Sequence, residues 1–180
     1  YVAAYDGKEH GIVYDPAKLS AVGNQPLTVK YTKWENGSYS TTAPTFINVT
    51  DGAQTVYWQV TAPNHEPLTG SNTVNITKAQ IDVSSLKWVE TAEFDFNNEL
   101  QGVQLVNVPT SIVIDYTDNA GRYVGTYTAT AEAKAVDSTN CEVTGTIKNK
   151  TWKIKPINQT PTITEARTIT KGGNTLYLNT

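Results

Sequence analysis

The sequence predicts an all-β chain built as tandem immunoglobulin-like β-sandwiches. Short runs alternate apolar and polar residues with a period of two, and helical periodicity is nearly absent. Gly, Pro, Asn and Asp break these runs every ten residues or so, the turn spacing of sandwiches and barrels. One pattern of strands is also written twice, about 75 to 91 residues apart, which is the length of a whole domain rather than of a solenoid repeat.

In chain order, Val2 to Tyr5 is the first run and Asp6-Gly7 its turn. Gly11-Ile12-Val13-Tyr14 follows, with Ile12 and Tyr14 on one face. Leu27 to Lys33 alternates with Leu27, Val29 and Tyr31 inward, and Asn36-Gly37 is expected to supply the positive φ of a tight hairpin. Phe46 to Val49 is short, and Asp51-Gly52 leads into Thr55 to Thr61, where Val56, Trp58 and Val60 share the inward face. A loop through Asn64-His65-Glu66 and Thr69-Gly70 precedes the closing strand of Val74 and Ile76.

The second copy starts near Ile81. Gly102 to Leu105 answers Gly11 to Tyr14, and Ile112 to Thr117 answers Leu27 to Thr32. Asn119-Ala120-Gly121 is the next turn. Tyr127, Ala129 and Ala131 are expected at the places of Val56, Trp58 and Val60, and Asn140-Cys141-Glu142 at that of Asn64-His65-Glu66. Trp152 and Ile154 close the copy. The predicted units are residues 1–79 and 80–155, joined by a tight, semi-rigid Lys78-Ala79-Gln80. Residues 156–180 are a C-terminal extension or the start of a third unit.

Composition narrows the function. With 14 basic and 17 acidic residues in 180, no segment is basic enough for a nucleic-acid footprint or an anionic membrane. The lone Cys141 forms no internal disulfide, so the fold rests on its apolar core. No apolar run is long enough to span a bilayer, and the absence of any Met suggests an excised fragment.

Tyr5-Asp6-Gly7-Lys8-Glu9-His10 is similar to the Tyr-Asp-Gly-Lys-x-His opening of bacterial cell-surface immunoglobulin-like repeats of the MBG or YDG type. Thr55 to Asn64 and Thr69 to Ala79 resemble the ending of such repeats. The second copy departs at the opening, where Phe96-Asn97-Asn98-Glu99-Leu100-Gln101-Gly102 stands instead. The resemblance implies a secreted or wall-attached bacterial protein whose serial modules act as stalk, spacer or adhesin, with nothing catalytic.

The chemical candidates each have a plainer reading. Asp6 and His10 suit a turn cap beside a strand-edge His, since a zinc site would want three or four ligands. His65 reads as a solvated loop residue. Cys141 lacks a positional partner for nucleophilic work. Asp82, Asp95, Asp115, Asp118 and Asp137 are too sparse for a calcium loop. Lys30, Lys87, Lys153 and Asn75 fall on outward phases, against a buried Lys–Asn isopeptide crosslink. Tyr39, Tyr57 and Trp34 are candidates for stacking on sugars, or for cross-strand packing. The sequons at Asn36, Asn48, Asn75, Asn149 and Asn158 are expected by chance in a Thr- and Asn-rich chain. No catalytic residue, cofactor or metal site is assigned. The expected function is a non-catalytic spacer that projects other domains from a cell surface, with a glycan- or protein-binding adhesin segment as the alternative. An accessory module of a secreted polysaccharide-degrading enzyme is a third class. Expected partners are neighbouring repeats, in a monomer that inserts in no membrane.

Overall fold

The structure, a computed structural model, describes residues 1–49, 52–158, 169–171 and 174–176. It is an all-β chain. The first half contains β1 (Val2–Ala4), β2 (His10–Gly11), β3 (Thr28–Thr32), β4 (Thr45–Phe46), β5 (Gln54–Thr61) and β6 (Leu68–Thr77). Four of these form a sheet in the order β1-β6-β5-β3, with β1 parallel to β6 and the other pairs antiparallel. β2 and β4 pair separately. The alternation in the sequence fixes which face is buried. Val29, Tyr31, Val56, Val74 and Ile76 form the core, and Trp58, Val60, Ile12 and Tyr14 pack on it half-exposed.

The second half contains β7 (Ala79–Asp82), β8 (Lys87–Trp88), β9 (Glu93–Asp95), β10 (Gln101–Gly102), β11 (Leu105–Val106), β12 (Ile112–Thr117), β13 (Ala120–Gly121), β14 (Gly125–Ala135), β15 (Cys141–Thr144) and β16 (Lys150–Lys155). Its main sheet runs β12-β14-β16-β9, with the edge strand β9 parallel to β16 as β1 is to β6, and β10 pairs β13 as β2 pairs β4. Trp152 is buried, stacks on Tyr127 at 4.5 Å, meets Phe94 edge-on at 5.8 Å, and donates its indole N–H to the Asp118 carbonyl at 2.9 Å. A buried indole keeps its hydrogen bond this way while contributing a large apolar area. Among the described residues, the pairs β7–β15 and β8–β11 have no counterpart in the first half. β17 (Ile169–Lys171) and β18 (Asn174–Leu176) form a separate antiparallel pair. The extension from 156 otherwise lies mostly outside the described residues.

Matching positions do the same work in both sheets. Tyr5 donates its N–H to Thr77, and Phe96 donates to Lys155, each at 2.9 Å. The Tyr31 hydroxyl accepts the N–H of Tyr14 at 2.8 Å, and the Tyr116 hydroxyl accepts that of Leu105 at 3.1 Å. Gly11 and Gly102 are both glycine for lack of space. A Cβ on Gly11 would lie 2.8 Å from the Pro44 carbonyl oxygen, and one on Gly102 would run into that of Asn119.

Several local expectations need correction. Neither Asn36 nor Gly37 has positive φ. The turn is closed by the Gly37 N–H on the Trp34 carbonyl at 3.0 Å, and a Cβ at 37 would press on Thr32 Oγ1 at 2.5 Å. Asn119-Ala120-Gly121 is not a turn; Asp118 takes the left-handed conformation and frees Ala120–Gly121 to pair with β10. Thr69-Gly70 is not loop but strand. Gly70 stands opposite Trp58, and the indole lies across it where any side chain would collide.

The central strands are also offset by two from the sequence match. Tyr31 pairs Trp58 and Tyr116 pairs Ala131, so Ala131 answers Trp58 and the fully buried Ala129 answers Val56. Asn140-Cys141-Glu142 does not mirror Asn64-His65-Glu66. Cys141 opens β15 in parallel pairing with β7, whereas Asn64 is a left-handed turn residue.

Candidate functional site

The sequence reads Asp6 and His10 as a turn cap beside a strand-edge His. Asp6 Oδ1 accepts the Lys8 N–H at 2.9 Å and lies 2.8 Å from His10 Nε2, while His10 Nδ1 lies 2.9 Å from the Tyr1 hydroxyl. Gly7 between them is left-handed, at φ 74°. The second half supplies the control. Asn97 Oδ1 accepts the Glu99 N–H at 2.9 Å and a bond from Gln101 Nε2 at 2.7 Å, and Asn98 is left-handed at φ 61°. The same Asx turn is braced by the same geometry, with a neutral amide pair replacing the carboxylate and imidazole. Ionisation is therefore dispensable to the arrangement, which acts as a turn brace. The Lys8 N–H, then His10, hold the Asp6 carboxyl below its ordinary range.

The other candidates are equally absorbed. His65 Nδ1 donates to the Pro63 carbonyl at 2.7 Å. Asp82 caps the Ser84 N–H at 2.9 Å, which lowers its pKa. Asp115 pairs with Lys134 at 2.6 Å, and Asp95 with Lys155 at 3.6 Å. Lys153 pairs with Glu93 at 2.7 Å, and none of Lys30, Lys87, Lys153 and Asn75 is buried. Among the described residues, no three of His, Cys, Asp and Glu stand together in a metal-binding group. Trp34 is 73 % exposed, while Tyr39 and Tyr57 are half-buried.

The residue that sequence reading missed is Asn140, a buried polar side chain at the joint between the sheets. Its Oδ1 accepts the Val49 N–H at 2.8 Å. Its Nδ2 donates to Asn48 Oδ1 at 3.2 Å and to Asp137 Oδ2 at 2.9 Å. Its backbone N–H meets Asp137 Oδ1 at 3.1 Å, and its carbonyl accepts the Ala79 N–H at 2.9 Å. The amide orientation is forced, because an N–H faces one end and a carboxylate the other. One side chain thus ties the end of the 45–49 segment to the second half, while its backbone ties the linker. Lys78 adds a bond from Nζ to the Ser138 carbonyl at 2.5 Å. The Asn140 side-chain amide, followed by its backbone N–H, holds the Asp137 carboxyl below its ordinary range. The sequon Asn of 48 spends its side chain in this cluster. The only signal available in the sequence was the expectation of a stiff joint at 78–80.

No family model and no curated protein matches the sequence. Among the described residues, no helix is long and apolar enough to cross a membrane.

Proposed function

We propose that the chain is two tandem immunoglobulin-like sandwiches, residues 1–79 and 80–155, serving as a non-catalytic spacer in a larger bacterial surface protein. The observation that carries this reading is the Asn140 cluster. It spans the two halves with bonds to Val49 and Asn48, and its carbonyl holds Ala79 at the start of β7, next to a linker of essentially one residue, Lys78. A spacer needs fixed reach and orientation, and a buried, fully bonded polar joint supplies both. The recurrence of one sheet order in the two halves supports the tandem part, and the resemblance at Tyr5 to His10 supports the bacterial and extracellular part. Small-angle scattering tests it. The wild-type chain should give one rigid elongated profile, and Asn140→Ala a broader distribution of lengths. A wild-type profile already as broad as that of the variant would remove the basis of the proposal.

The adhesin reading draws on one feature, the 73 % exposed Trp34 in the loop between β3 and Ser40. A glycan and matrix-protein array, run beside Trp34→Ser, should give a hit lost in that variant if this loop binds. An array with no such hit leaves the spacer reading alone.

A further inference from the structure

We propose that this chain bears tension: its three parallel strand pairs, β1–β6, β7–β15 and β9–β16, are shear clamps that keep each half folded when the chain is pulled along its length. The use of such clamps rests on the spacer reading above, which puts the two halves in series.

Pairing direction carries the inference. Among the described residues, these three pairs are parallel, and every other strand pair is antiparallel. The parallel pairs lie on the path that tension takes. β1 opens the first half and β6 closes it, just before Lys78. β7 opens the second half, and β16 closes it against β9. Pulling the chain ends draws the two strands of such a pair in opposite directions along their own length. The evenly spaced hydrogen bonds of the parallel ladder are then loaded together. An antiparallel pair in the same place would be pulled at one end and would open bond by bond. Tension arriving through Lys78 meets β7–β15 first, and reaches β9–β16 once β7 and β8 have let go.

Each seam is bonded along its length. In the first, the Tyr1 carbonyl accepts the Asn75 N–H and the Tyr5 N–H goes to the Thr77 carbonyl, both at 2.9 Å. Backbone polar groups alternate sides along a strand, so Ala3 is the middle tooth of this seam and Val2 faces away from β6. Thr77 adds its hydroxyl to the Ala3 carbonyl at 3.3 Å. In β7–β15, the Ala79 N–H meets the Asn140 carbonyl at 2.9 Å and the Val83 N–H meets that of Thr144 at 3.0 Å, with the Val83 side chain buried. In β9–β16, the Ala92 carbonyl accepts the Lys153 N–H at 2.8 Å, and the Phe96 N–H goes to Lys155 at 2.9 Å. This last seam is also crossed by ion pairs. Glu93 holds Lys153 at 2.7 Å and Lys155 at 3.4 Å, and Asp95 holds Lys155 at 3.6 Å. Exposed pairs add little to equilibrium stability, but all three lie across the direction of sliding and are strained at once. No ion pair crosses β1–β6 among the described residues.

Force spectroscopy on the whole chain tests this. Pulled end to end, the chain should give two high-force events, one per half. The direction of pull is the decisive control. On a Cys141→Ser background, pulling between residue 1 and a Thr73→Cys attachment opens the same β1–β6 bonds from one end, because Tyr1 and Thr73 are neighbours there at 2.9 Å. That should take several-fold less force. Ala3→Pro removes the middle donor of the first seam and should lower one end-to-end event, whereas Val2→Pro should leave both. Glu93→Gln should lower the other event, and about 1 M salt should act on that event alone. End-to-end forces no higher than the peeling force overturn the proposal, a comparison that stands even if Ala3→Pro does not fold. Folded Ala3→Pro and Glu93→Gln chains with both events unchanged overturn it too. Weak seams beside a stiff joint would remove this proposal alone, and strong seams beside a loose joint would remove the spacer reading alone.

Discussion

The side-chain oxygen of Asn140 accepts the backbone N–H of Val49 at 2.8 Å, across 91 residues of chain. Around this bond both donors of the amide are also used, on Asn48 and on Asp137, so hydrogen bonds order the joint. Asn140→Ala would leave the Val49 N–H and the Asp137 carboxylate without that partner. The expected cost is about 2 kcal/mol, that of a buried polar cluster losing its centre. Urea titration measures it, with the fluorescence of the 1–79 and 80–155 tryptophans followed separately.

Acid should open the same joint late. Asp137 has its pKa lowered below the ordinary 3.8 by the Asn140 amide and N–H. A carboxylate depressed in the folded state contributes stability that is present above its unfolded pKa and lost as pH falls through the folded one. The joint should therefore hold at neutral pH and weaken only below about pH 4. Asp137→Asn should abolish that acid dependence, as read by scattering across pH.

The brace at the chain's start has a built-in test, because its second-half counterpart is uncharged. Replacing Asp6 by Asn and His10 by Gln together should keep the turn and leave the melting temperature essentially unchanged at neutral pH, since it recreates the Asn97–Gln101 geometry. His10→Ala alone should cost about 1 kcal/mol for the lost hydrogen bond. Asp6, with its lowered pKa, contributes stability above the unfolded carboxylate range that is lost in acid. The double variant should lose that acid sensitivity in thermal melts taken from pH 3 to pH 7.

Trp58 and Gly70 form one packing unit. The indole lies over Gly70 and donates its N–H to Asn72 Oδ1 at 2.8 Å. Gly70→Ala should cost about 1–3 kcal/mol by forcing the ring off its seat. Trp58→Ala should cost about 2–4 kcal/mol, toward the low end for a large aromatic because the ring is half-exposed. The double variant should cost clearly less than the sum, because the alanine methyl at 70 no longer meets a ring. Chemical denaturation of the four proteins measures the coupling.

Much of this fold was legible because alternation reports burial directly. Val29, Tyr31, Val56, Val74 and Ile76 are inward in the sequence pattern and buried in the structure. The match of Gly102 to Gly11 also held, since both sites exclude a Cβ. The match of Ala129 to Trp58 slipped by two residues. A shift of two keeps every side chain on its own face, so periodicity alone cannot detect it. Gly70 was misread as loop because the reason for a glycine there is an indole from another strand. Asn140 was missed for a similar reason, as its partners lie 91 and 92 residues away at Val49 and Asn48. Short-range polar geometry was recovered at Asp6, whose partner His10 is only four residues away; the equivalent brace of Asn97 by Gln101 was read only as a departure from the first copy, because its residue types differ.

Residual dipolar couplings, measured for backbone amides of residues 1–77 and 79–155 in one aligned sample, test the stiff joint most directly. One alignment tensor should fit both halves in the wild type, and two different tensors should be needed after Asn140→Ala. Two tensors of unequal magnitude in the wild type would mean that the halves reorient independently, and the account of a rigid spacer would fall.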